Sequence, residues 1–228
     1  MIVRAAPHGV HLITQPDHAR AAGQIMAHCV ALASHPRRQS ILHAIREHDN
    51  GWSEEDAAPA VNPSTGQIAD FITLPVGARQ AVWPRGVGRL ADPWAAALVA
   101  HHAVTVYDRF RSDDQWTSFF AEMEGMRDAR AGASSFDDLL ADYSYLRLGD
   151  LISLAFCTGA AGEQRFGAWS IALKDTRVVV APDPFGGVAI PIEIEARAVS
   201  AGPYAFDAQL RTAVRDAETI IVRGLVTA

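Results

Sequence analysis

The chain has 228 residues, of which 49% are hydrophobic and 20% charged, and its formal net charge at pH 7 is −6. This length and apolar content are enough for a large hydrophobic core without disulfide staples. The negative net charge and the lack of a clustered basic face argue against nucleic-acid binding. No apolar run is long enough to span a bilayer. We therefore expect a soluble protein with a small-molecule substrate and no nucleic-acid or membrane partner, and the oligomeric state stays open.

The cysteine and lysine content narrows the chemistry further. Cys29 and Cys157 lie far apart within apolar helical patterns, which favours buried thiols over a disulfide or a zinc site. A reducing, cytoplasmic location fits this pattern best. Lys174 is the single lysine and no phosphate-loop glycine pattern is present, which argues against lysine Schiff-base chemistry and against a phosphate-binding P-loop.

The first elements in chain order are a hairpin and a helix. Two short β-like runs within residues 2–14 flank Pro7-His8-Gly9, which predicts a β-hairpin. Thr14-Gln15-Pro16-Asp17 then has the composition of a helix start. We expect this helix to continue to about Ser34. His18 is the first member of its apolar stripe, so it should point inward.

A second helix carries Ile41, Leu42 and Ile45 on one face, and the same spacing brings His48 and Asp49 to that face. Asn50-Gly51 should end this helix, because the pair tolerates a left-handed backbone. Residues 53–74 are rich in turn formers and predict a long loop, a kind of segment that often covers a site.

Further helices are predicted downstream, two of which contribute polar residues to the interior. Asp92-Pro93 starts one of them, and its apolar side includes His102, with His101 about 100° around the helix. Asp150 lies within the apolar stripe of the last long helix, where a carboxylate needs a partner. The four helices span residues 75–90, 94–110, 116–129 and 137–157.

The chain changes character after residue 158. Residues 177–181 and 188–194 have strand composition, and a short helix at 207–214 precedes a final strand at 219–225. We therefore predict a mainly α fold with two parts. Residues 1–158 would form a helical metal-binding domain with an N-terminal hairpin, and residues 159–228 a small α+β appendage packed on it.

The inward-facing polar residues together suggest a metal site. Burying several imidazoles and carboxylates is costly unless a shared cation offsets the loss of hydration. Nitrogen and oxygen ligands without thiolates suit Fe, Mn, Zn or Mg, as one ion or two. The candidate ligands are His18, His48, Asp49, His102 and Asp150. The sequence leaves open which of His101 and His102 binds metal.

The order of these residues also resembles a known family. His18, His48-Asp49, His101-His102 and Asp150, the last within Arg147-Leu148-Gly149-Asp150-Leu151, look like the H…HD…HH…D pattern of the HD-domain metal-dependent phosphohydrolase superfamily. The resemblance implies an all-helical core, a mono- or binuclear metal centre and hydrolysis of phosphate esters or nucleotides. Residues 17–22 and 47–52 also resemble an uncharacterised bacterial family defined only as a domain of unknown function.

The leading hypothesis is a metal-dependent hydrolase of a small phosphorylated or nucleotide-like substrate, with metal-activated water as the nucleophile. His48 and Asp49 would hold the metal, and His101 would act as a general acid or orient the substrate. The chain has Asn50-Gly51-Trp52 where many phosphodiesterases of the superfamily place a lysine, so Trp52 would supply an aromatic pocket wall instead. Arginines that could bind an anion are Arg20, Arg46 and Arg147.

Two alternatives stay open at this point. The same ligand set supports oxygen chemistry in some HD-like proteins, so a di-iron oxygenase is one alternative. A non-catalytic binding protein with a structural metal is the other.

Overall fold

The computed structural model describes residues 1–228 and contains seven β-strands and eight α-helices. The strands are β1 (Ile2–Ala6), β2 (Gly9–Ile13), β3 (Glu163–Phe166), β4 (Trp169–Lys174), β5 (Arg177–Ala181), β6 (Ile190–Val199) and β7 (Glu218–Thr227). The helices are α1 (Gln15–Met26), α2 (Arg38–Glu47), α3 (Ser53–Ala57), α4 (Val76–Gly88), α5 (Pro93–Tyr107), α6 (Thr117–Ala131), α7 (Phe136–Thr158) and α8 (Asp207–Asp216). None of the helices is both long and apolar enough to cross a membrane.

All seven strands belong to one mixed sheet, in the order β1-β2-β6-β7-β5-β4-β3. Neighbouring strands are antiparallel except β5 and β7, which pair in parallel. The predicted N-terminal hairpin is present. It is part of the main sheet, because Val10 of β2 pairs with Val199 of β6. Strands from both ends of the chain thus share one sheet.

The prediction of a mainly α, HD-domain-like fold with a small appendage is wrong. About half of the chain is helical, and the mixed seven-stranded sheet makes the protein α/β rather than all-α. Two physical reasons explain the error. Strand β3, with the sequence Glu163-Gln164-Arg165-Phe166, shows no alternation of apolar residues. The pairing of β2 with β6 joins residues almost 190 positions apart, so no local pattern reveals it.

The helix starts follow the sequence signals closely. The hydroxyl of Thr14 accepts the backbone N–H of Asp17 at 3.1 Å, and the Asp92 carboxylate accepts two N–H groups at the start of α5. However, α1 ends at Met26 instead of about Ser34. The reason is a tertiary contact, because the backbone N–H of Val30 donates to the carbonyl of Pro184 at 3.0 Å and not to its own helix.

Helix α7 lies at the centre of the hydrophobic core. It packs on α1, α2 and α5 on one side and on β1, β4 and β5 on the other, and Leu146, Leu148, Ile152 and Phe156 are all fully buried. Gly149 allows the close approach to α1, since a Cβ at this position would lie 2.7 Å from Cγ of Met26. The fold therefore holds residue 150 firmly against the first two helices.

Gly51 is required for a different reason from the one predicted. Its backbone is not in the left-handed region. Instead, a Cβ at Gly51 would lie only 1.9 Å from the backbone carbonyl oxygen of Val82 in α4, and a backbone atom cannot move aside as a flexible side chain can. The turn after Asp49 is thus pressed directly against α4.

We expect Gly51→Ala to lower the free energy of unfolding by about 1–3 kcal/mol, because the added methyl group forces α4 away from the turn. Gly77→Ala, a substitution within α4 itself, is the matched control. A Cβ at Gly77 meets nothing within 4 Å, so this variant should be neutral or slightly stabilised. Urea denaturation of both variants checks the difference, and equal stabilities would contradict the close crossing.

Candidate functional site

Four helices bring five polar side chains to one buried point. His18 lies in the first turn of α1, His48 and Asp49 follow directly after α2, His102 lies in α5 and Asp150 in α7. Their exposed fractions run only from 1% to 6%. The structure thus brings together the five residues that the sequence proposed as metal ligands.

The ring nitrogens and carboxylate oxygens of this cluster lie within a few ångströms of one another. Nε2 of His18 lies 3.2 Å from Oδ1 of Asp150 and 3.7 Å from Oδ2 of Asp49. Nε2 of His48 lies 3.5 Å from the same Asp49 oxygen, and Nε2 of His102 lies 3.8 Å from Oδ2 of Asp150. Two overlapping groups have the spacing of a metal site, namely His18, His48 and Asp49, and His48, His102 and Asp150.

The other ring nitrogen of each histidine is engaged outside the cluster. Nδ1 of His48 donates to the carbonyl of Ile45 at 2.7 Å. Nδ1 of His18 lies 2.9 Å from the hydroxyl of Ser153. That hydroxyl has a single proton and donates it to a carbonyl of its own helix at 3.1 Å, so His18 is the donor. Nδ1 of His102 lies 3.1 Å from the hydroxyl of Tyr143.

With Nδ1 donating outward, a neutral His18 and a neutral His48 each present an unprotonated Nε2 to the cluster, and these two nitrogens lie only 3.3 Å apart. Two lone pairs at this distance repel each other unless a positive charge lies beside them. Fixing the Nδ1 proton on an outside partner is the usual arrangement of metal-binding histidines. The residues therefore fit a cation held between His18, His48 and the two aspartates.

The electrostatics of the cluster favour a positive charge at the same point. Burial alone would lower the pKa of His48, but Asp49, Asp150 and the Ile45 carbonyl outweigh it and raise the pKa to about 9. For Asp150, the effect of burial is outweighed by the contacts with the imidazoles of His18 and His48, which hold its pKa well below the usual range. Burial raises the pKa of Asp49 and lowers that of His102.

His101 lies outside this cluster. Its ring packs against Phe136 and Tyr143, with a ring-centroid distance of 4.6 Å to Tyr143. Burial and the positive charge of Arg127 lower the pKa of His101 to about 4, so it is neutral at pH 7. The structure thus brings His102 rather than His101 to the other ligands, and it places His101 away from the cavity where a general acid would act.

A cavity of about 290 Å³ opens beside the cluster. Four of the five cluster residues line it, whereas His48 lies behind them. Aromatic side chains form much of the remaining wall, and Phe71 and Ile72 of the predicted loop contribute to it. The lining residues include His18, Asp49, Trp52, Arg79, Trp83, His102, Tyr107, Arg109, Arg147 and Asp150.

The predicted substrate residues divide into two groups. Trp52 and Arg147 line the cavity, and Nη1 of Arg147 donates to Asp150 at 2.6 Å. Arg20 is exposed and pairs with Asp17, and Arg46 is exposed and packs over Gly23. Neither of these two arginines lines the cavity.

Sequence reasoning missed several residues that shape the site. Ser153 follows Asp150 by three residues on α7, so helical spacing could have identified it. Arg79 and Arg109 lie outside any apolar stripe, and no local signal identifies them.

The geometry defines an α/β protein with a buried His/Asp cluster that could hold a metal ion. A family model described as a protein of unknown function (DUF3891) matches residues 1–211, and the chain belongs to this family. No curated protein and no solved structure matches the chain significantly.

We expect Ser153→Ala to weaken binding of a divalent cation such as Zn²⁺ by about 10–100-fold, because the hydroxyl fixes the proton of His18 on Nδ1. Ser144→Ala is the control, since Ser144 makes the same kind of bond to its own helix, from its hydroxyl to the Ala141 carbonyl, without touching the cluster. Calorimetric titration of the chelator-treated proteins measures both affinities. A Ser153→Ala protein with wild-type affinity would show that the contact does not orient a ligand.

Proposed function

We propose that this protein is a metal-dependent hydrolase of a small phosphorylated or nucleotide-like substrate. One observation carries the proposal. Imidazole nitrogens of His18 and His48 and two aspartates converge on one buried point, and this point opens onto a cavity of about 290 Å³. A purely structural metal site needs no such cavity, whereas a catalytic site keeps a position open for the substrate.

The ligands would be His18, His48, Asp49 and Asp150, with His102 at the edge of the same group. Because two groups of potential ligands share His48, the cluster suits either one ion or two. Nitrogen and oxygen donors fit Fe, Mn, Zn or Mg. A bound divalent ion would supply the Lewis acidity that activates water and offsets the negative charge of a phosphoryl group.

The chain's own residues would position the substrate against this ion. Arg147 is held in place by its hydrogen bond to Asp150 and also lines the cavity. Its remaining N–H groups could donate to phosphoryl oxygens, for which a guanidinium has matching geometry. Trp52, whose side chain is only 2% exposed, would form an aromatic wall of the cavity beside the His/Asp cluster. It would take the place of the lysine that many HD-domain phosphodiesterases have.

The order of the ligands along the chain supports this proposal as well. The H…HD…D order resembles that of HD-domain phosphohydrolases, and we propose a common chemistry on this ground. The common chemistry does not extend to the fold, since the mixed sheet sets this protein apart from an all-helical domain.

Native metal content gives the first test. Elemental analysis of the purified protein should show about one or two equivalents of a divalent metal, and His48→Ala and Asp49→Ala should each lose most of it. His28→Ala is the control, because it removes an exposed imidazole remote from the cluster. If both cluster variants keep the wild-type stoichiometry while remaining folded by circular dichroism, the metal site is disproved.

Turnover gives the second test. The metal-loaded protein should release phosphate or a nucleotide product from a panel of phosphomonoesters, phosphodiesters and nucleotides, and Asp150→Asn should lower the rate by at least about tenfold. Oxygen uptake by the iron-loaded protein without hydrolysis would overturn the proposal in favour of an oxygenase. Bound metal with neither activity would favour a binding protein.

A further inference from the structure

Two arginines of the cavity wall have no acidic partner. Arg79 of α4 and Arg109, just after α5, both line the cavity, and neither forms an ion pair in the structure. The third cavity arginine, Arg147, is paired with Asp150. The chain has 26 acidic residues against 20 basic ones, so two unpaired guanidinium groups at one site are not explained by a shortage of carboxylates.

Both guanidinium groups are held by the same aromatic ring. Arg79 lies 5.8 Å and Arg109 lies 4.8 Å from the centroid of Phe110, and Arg79 also lies 5.4 Å from the ring of Trp116. Cation–π contacts of this kind fix the position of a guanidinium without using its N–H donors. The donors of the two arginines therefore stay available to a ligand.

Two buried donors of the cavity residues are also without a partner. Nε of Arg79 and the indole nitrogen of Trp52 are buried and make no hydrogen bond. An unpaired buried donor is costly, and two of them beside one cavity indicate a ligand that is rich in acceptor oxygens. An anionic group such as a phosphate has this property.

The unpaired arginines and the His/Asp cluster lie at different ends of the cavity. A row of aromatic rings connects them, with centroid distances of 5.6 Å from His102 to Trp83, 6.1 Å from Trp83 to Tyr107, and 6.4 Å from Tyr107 to Phe110. Burial raises the pKa of Tyr107 to about 12, while a hydrogen bond with Trp83 and the charges of Arg79 and Arg109 act to lower it and Asp49 acts to raise it. Tyr107 therefore lies between the two ends.

We propose that Arg79 and Arg109 bind a second, non-reacting anionic group of the substrate. The inference rests on the proposed function and refines it. The substrate carries a reacting phosphoryl group at the His/Asp cluster and a further phosphate or carboxylate at the arginines. An apolar or planar portion between them lies along Trp83 and Tyr107.

Inorganic phosphate is the probe for the arginine end, and the protein is first freed of metal with a chelator. Calorimetry should then show one phosphate site in the wild type. Arg79→Met combined with Arg109→Met should weaken this site by at least about tenfold, because it removes two charged donors. Arg165→Met combined with Arg223→Met removes the same charge from exposed arginines that pair with Glu163 and Glu193, and it should leave the affinity unchanged.

The outcomes separate this inference from the metal site. In the metal-loaded wild type we expect two phosphates per chain, and in the metal-loaded Arg79/Arg109 double variant only one, at unchanged metal stoichiometry. Phosphate binding by a His48→Ala protein that holds no metal would still support the arginine site. Wild-type phosphate affinity in the folded double variant, or no phosphate binding by the metal-free wild type, would overturn the inference.

Discussion

The contact between Nε2 of His18 and Nε2 of His48, at 3.3 Å, is the constraint on which the site depends. While the two rings are neutral, both nitrogens lack a proton, because the rings donate through Nδ1 to Ser153 or to the Ile45 carbonyl. Without a positive charge beside them, the pair would be repulsive in a medium that screens charge poorly. In the metal-free chain, Asp49 and Asp150 favour a proton on His48 and raise its pKa to about 9. A divalent cation meets it without a proton.

The packing of helices, rather than any loop, sets this geometry. The close approach at Gly149 brings α7 against α1, and this places Asp150 opposite His18. The turn after Asp49 is pressed on α4 at Gly51. The sheet supports the arrangement from the far side, because β1, β4 and β5 pack on α7. Ligands that lie on rigid elements keep their positions to within a fraction of an ångström, as metal coordination requires.

The sequence predicted the burial of the His/Asp residues better than it predicted the fold. Helical spacing was enough to place His18, His102 and Asp150 on buried faces, because a 3.6-residue period is a local property. The sheet depends on contacts that are not local. The pairing of Val10 with Val199 and the polar strand β3 leave no periodic signal. Arg79 and Arg109 were not predicted for the same reason, since only tertiary packing brings both of them to Phe110.

The two ends of the cavity differ in how the chain builds them, and this difference has a consequence for specificity. The His/Asp end consists of residues within or directly after helices, each held by a hydrogen bond or a close helix crossing. The rest of the cavity wall includes Arg109 in the turn after α5, and Ile72, which is 53% exposed in the loop before α4. Turns and loops accept substitutions more readily than packed helices do. We therefore expect related chains to share the chemistry of the His/Asp end and to differ in the part of the substrate that the loop and the turn contact.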